Sequence, residues 1–281
     1  MAQQQTTDKA DSEVSDPENA SPEAVSATPE ALKDSISRAM GYLDGRAGTP
    51  GDGRQFGDYV IFCGLPIVRD FPEYEAVLEP YKEWIAAHDR FEKVLPYQSA
   101  CHVMGLDLIG QHEQAVEIFE GLKQFSNEGK WLIPYHIGWD LYGCIVAEDE
   151  ELLEKTMTHI ANVIEPQPHR YQYFVAYCLW KAFEKTKDDE YREMFLTFAR
   201  NIIPFEDEYV GMTVDDGHAG MVLTVFARAF GETENEGFRE ISKKLAEGLL
   251  ASQMENGSWN DKTAYTVMPA EGLAAFLKFC L

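Results

Sequence analysis

The stretch "MTVDDGHAGMVL" (212–223) sets two adjacent carboxylates, Asp215 and Asp216, and an imidazole, His218, against an apolar run. Burial raises the pKa of a carboxyl, and neighbouring carboxylates resist sharing negative charge. A carboxyl so tuned is a general acid for an alkene or a glycosidic oxygen. His218 would orient Asp215 or share its proton. The same residues also suit a helix N-terminus, where free N–H groups and the dipole favour Asp.

A second group lies in "LIPYHIGWDLYG" (132–143), which puts His136 and Asp140 at i and i+4 on one helix face beside Tyr135 and Trp139. A base with an orienting carboxylate, or part of a polysaccharide site, would look like this. In "PHRYQYFVAY" (168–177), Arg170 is a candidate anion clamp. Tyr59, Tyr97, Tyr135, Trp139, Tyr142, Tyr171, Tyr173, Tyr177, Trp180 and Tyr265 fall on apolar segments. Each alone reads as core packing. Together they would line a cavity able to stabilise cations or stack on sugar rings. The substrate-binding candidates are Tyr97, His136, Trp139, Asp140, Arg170, Tyr173 and Tyr177. Cys101, His102 and His136 with Asp215 or Asp216 lack any compact ligand spacing, so neither a metal nor a cofactor is expected. The chain has no Gly-rich phosphate loop, nucleophile elbow or dinucleotide fingerprint.

The elements that carry these residues are helical by periodicity from residue 32 onward. Amphipathic, charged segments near 31–45, 72–90, 112–126, 149–164, 188–204 and 234–254 alternate with apolar ones near 57–68, 96–110, 133–147, 169–186, 217–231 and 264–280. A helix apolar on all sides belongs inside, and one with a single stripe belongs outside. Six pairs predict an all-α single (α/α)6 toroid, a ring of helical hairpins over residues 31–281 with the N-terminal helix completing the outer layer. An open helical solenoid is the alternative.

A repeat supports the ring. "LKQFSNEGKW" carries Gln124, Gly129 and Trp131, and "SQMENGSW" carries Gln253, Gly257 and Trp259. Each ends a charged segment and precedes an apolar one. "GTPGDGRQFGDY" is a degenerate third copy with Phe56 in place of Trp. These turns resemble the QW repeat of the squalene-type terpene cyclases and their prenyltransferase relatives, where Gln stacks on Trp and caps helix ends. The 212–223 segment resembles the Asp-x-Asp-Asp-Thr-Ala segment of class II cyclases. Asp215 then matches the protonating acid and Asp216 its partner, with Thr213 in place of the first Asp and Gly217 in place of Thr.

Residues 1–30 hold almost no large apolar side chains and read as a disordered acidic tail. They lack the basic and apolar regions of a secretory signal, and no apolar run is long enough to span a membrane. The net charge of −24 over 281 residues excludes nucleic acid and anionic membrane surfaces as partners. Cys63, Cys101, Cys144, Cys178 and Cys280 sit singly in apolar contexts, as buried thiols of a cytoplasmic protein do.

The function expected from these features is a terpene cyclase-like, acid-initiated cyclisation of an isoprenoid or other apolar small molecule. The alternatives are a glycan-processing hydrolase, lyase or epimerase acting on a sugar, and a non-catalytic helical-repeat binding protein. A chain this short holds one toroid, so a partner chain or homo-oligomer would close the cavity.

Overall fold

The computed structural model describes residues 25–48, 55–87, 96–127 and 137–281, and of 55–56, 96–98 and 124–127 the backbone alone. The tail expected to be disordered thus lies largely outside the described residues, as do the Trp131 turn and the side chains of Tyr97, Gln124 and His136.

The described residues form helices and connecting turns, with no strand among them. Six helices are amphipathic: α1 (Pro29–Leu43), α3 (Glu75–Ala86), α5 (His112–Asn127), α7 (Glu150–His159), α9 (Asp189–Asn201) and α12 (Glu236–Ser252). Six are apolar: α2 (Gln55–Asp70), α4 (Pro96–Leu108), α6 (Ile137–Val146), α8 (Gln172–Thr186), α11 (His218–Thr233) and α13 (Thr263–Phe279). A short α10 (Glu206–Met212) was not foreseen. Pro204 breaks the preceding segment, and Glu206, Asp207 and Glu208 restart a helix at its positive end. The first helix also begins earlier than expected. Pro29 occupies its first turn, and the Thr28 side chain accepts a hydrogen bond from the Ala31 N–H.

Burial follows the two patterns. In α12 the buried residues are Phe238, Ile241, Ser242, Leu245, Ala246 and Leu249, one stripe of a helix. In α11 every residue from Ala219 to Ala229 is buried, and in α8 every residue from Gln172 to Ala182. Each apolar helix packs against the next in the order α2, α4, α6, α8, α11, α13, and α13 also packs against α2 and α1. The chain returns through an amphipathic helix each time, so the apolar helices start at one end and finish at the other. The returns at the finishing end share a device. Glu148, Lys187 and Glu234 take the left-handed conformation, and the next residue, Asp149, Asp188 or Asn235, caps the following helix.

Glycines decide the tightest contact. A Cβ at Gly217 or Gly220 of α11 would collide with the backbone of α13 at Tyr265 or Met268, and one at Gly272 would lie 2.5 Å from the Gly220 carbonyl. At the Gln-Gly-Trp turn, Gln253 Nε2 donates to the Ser35 and Gly257 carbonyls, both at 2.9 Å, and its Oε1 accepts from the Ser35 hydroxyl and Arg38. Trp259 is buried and donates its indole N–H to Leu249 at 3.0 Å. The Gln amide therefore ties the end of α12 to α1 by hydrogen bonds. All five cysteines are buried free thiols, and no described helix is long and apolar enough to cross a membrane.

Candidate active site

The starting ends of α8, α11 and α13 converge on His218. Its ring lies 5.4 Å from Phe174, 6.2 Å from Tyr173 and 5.3 Å from Tyr265, centre to centre. Asp216 Oδ1 accepts from the His218 backbone N–H at 3.0 Å and pairs with Nδ1 at 2.6 Å. That pairing fixes the orientation of the imidazole ring. Burial alone would raise the Asp216 carboxyl. The hydrogen bond and charge of His218 outweigh it and hold the group below its ordinary value, ionised at neutral pH.

Asp215 takes a different place from the expected one. It is exposed, and its backbone carbonyl accepts from the Asn260 side chain at 3.0 Å. The partner of His218 is Asp216. The reason is local: Asp216 stands two residues before His218, within reach of the first free N–H groups of α11, whereas Asp215 is still in the turn.

Asp140 lies in the first turn of α6, beside Trp139. Asp140 is half-buried, and desolvation pushes its carboxyl well above the usual range; it has no hydrogen-bond partner or facing charge among the described residues. Trp139, Tyr177, Phe62 and Tyr59 pack together, with ring centres 4.8 to 6.3 Å apart. Trp139, Tyr173 and Tyr177 are all buried, so they form the packed floor of the layer. Tyr171 and Tyr265 are half-buried above it. Arg170 is already answered by an anion. Its Nη1 donates to Glu208 at 3.1 Å and its Nη2 to the Tyr171 hydroxyl at 2.8 Å.

Of the polar groups deeper in the apolar helices, the sequence singled out only His102. His102 Nδ1 meets Asp58 Oδ1 at 2.8 Å, both fully buried, and a Cβ at Gly105 would lie 2.9 Å from that oxygen. Pro66 supplies no N–H to the Phe62 carbonyl one turn earlier. That carbonyl accepts instead from Lys181 Nζ at 3.0 Å, and Lys181 also reaches Glu271 at 3.3 Å. Tyr177 donates to the other Glu271 oxygen at 2.8 Å. The signal was available: Asp58, His102, Lys181, Arg228 and Glu271 are each a lone polar residue in an apolar run.

Among the described residues, no group of three or more His, Cys, Asp or Glu side chains is placed to hold a metal ion. No family model, no curated protein and no solved structure matches the chain.

Proposed function

We propose that the twelve long helices form an (α/α)6 toroid and that the chain is a glycan-processing enzyme. The cyclic order of contacts, in which α13 packs against α2, supports the ring. On this reading the site is the mouth where the apolar helices start. His218, oriented by Asp216, is the general base, Asp140 is the protonated general acid, and Tyr171 and Tyr265 are platforms for a sugar ring.

The observation that carries the reading is the Asp216–His218 pair set among Tyr173, Phe174 and Tyr265. It favours sugar chemistry over acid-initiated cyclisation for a physical reason. The two carboxyls that the cyclase resemblance would use do not suit protonation of an alkene: Asp215 is exposed and Asp216 is held ionised. A base oriented by a carboxylate, facing aromatic platforms, suits activation of water at a glycosidic carbon or abstraction of a proton next to a uronate carboxyl.

The test is turnover of acidic and neutral oligosaccharides by the wild type and His218→Gln. The variant is expected to lose about 10²- to 10⁴-fold in turnover, the range for removing a general acid or base, with its melting temperature little changed. Undiminished turnover in His218→Gln would remove the imidazole from the mechanism.

A further inference from the structure

At the end where the apolar helices finish, the C-terminal turns of α2, α4 and α8 surround a pocket of about 460 Å³. Leu65 and Pro66, both half-buried, form an apolar wall. The charged lining comprises Arg69, Lys181, Lys185 and Lys187 against Asp107 and Glu184, a surplus of two positive charges in a chain of net charge −24.

The two carboxylates are already engaged. Asp107 accepts from Lys185 at 2.8 and 3.0 Å and from the Tyr142 hydroxyl at 3.0 Å. Glu184 accepts from Arg228 at 3.2 Å. Lys181, only 5% exposed, is fixed on the floor by the Phe62 carbonyl and Glu271. The rim is different. Arg69 is 55% exposed and stands 3.5 Å from Glu184, and Lys187 has no carboxylate partner among the described residues.

We propose that this pocket binds a small anion of two or more charges, its charged end between Arg69 and Lys187 and its body against Leu65 and Pro66. A strongly acidic chain repels anions over most of its surface, so a positive, apolar-walled recess concentrates them in one place. The rigid floor lowers the ordering cost of binding, because Lys181 is held before any ligand arrives. The shared chemistry covers phosphate esters and polycarboxylates, and the test separates them.

Isothermal titration of the full chain with inorganic pyrophosphate, and separately with citrate, reads the site directly. One site per chain is expected for at least one probe. Binding of pyrophosphate alone assigns phosphoryl recognition, and binding of citrate alone assigns carboxylate recognition. The double variant Arg69→Gln/Lys187→Asn should weaken that binding at least about tenfold, about 1.4 kcal/mol. Asn tolerates the left-handed backbone at 187, where φ is +62°, so the fold is preserved. The melting temperature without ligand should therefore be unchanged. Failure of both probes to bind the wild type, or equal binding by the double variant, overturns the proposal. In that case the cations serve only to offset the helix C-terminal dipoles.

Discussion

At the scale of single residues, the two carboxylates that matter most are in opposite states for opposite reasons. His218 holds the Asp216 carboxyl below its ordinary value, and desolvation pushes that of Asp140 well above it, with no facing charge among the described residues. The linkage for Asp140 follows from its sign. The unfolded chain releases this proton near the ordinary carboxylate value while the folded chain retains it, so stability falls as pH rises from that value towards the folded pKa. Asp140→Asn removes the loss. Chemical unfolding should show the variant more stable than the wild type at neutral pH and equal to it near about pH 3, below the ordinary range. If Asp140 is the general acid, the same variant loses about 10²- to 10⁴-fold in turnover. A variant less stable than the wild type at neutral pH would mean the carboxylate has a stabilising partner. The sequence showed Asp140 and the Asp215-Asp216-His218 group as chemistry-bearing. It did not show which Asp faces His218, because one step in a turn decides between a cap and an exposed position. Nor did it reveal the Lys181–Glu271 pair, whose members are distant in sequence and meet only across α8 and α13.

At the scale of elements, most of the helices were legible because their burial is periodic. The stripe of α12 and the all-round burial of α11 are the two patterns the spacing predicts. Boundaries were less legible. The start of α1 depends on Thr28 as cap and the separation of α10 on Pro204, local features that an apolar period does not register. The Gln253–Gly257–Trp259 turn was legible as a motif, but its action was not. Gln253 works by hydrogen bonds to α1, a helix more than two hundred residues earlier in the chain. Trp259→Ala should cost about 3 to 5 kcal/mol in denaturant unfolding, the range for truncating a large buried aromatic. A loss below about 1 kcal/mol would mean the turn does not hold α12 to α1.

At the scale of the whole molecule, the alternation of six apolar and six amphipathic helices could be read along the chain, and their count led to the expectation of a ring, in keeping with the packing of α13 against α2. What the pattern did not show is the close approach of α11 and α13 at Gly217, Gly220 and Gly272, a three-dimensional fit rather than a period. The arrangement gives the molecule two chemically different ends. Where the helices start stand the Asp216–His218 pair and its aromatic rings; where they finish lies the cationic pocket. The proposal that the starting end processes sugars is open to mass spectrometry after incubating the chain with a mixture of acidic oligosaccharides and polyprenyl diphosphates. Shortened or unsaturated oligosaccharides are expected, with the polyprenyl diphosphates unchanged. Cyclised isoprenoids alongside intact oligosaccharides would contradict it.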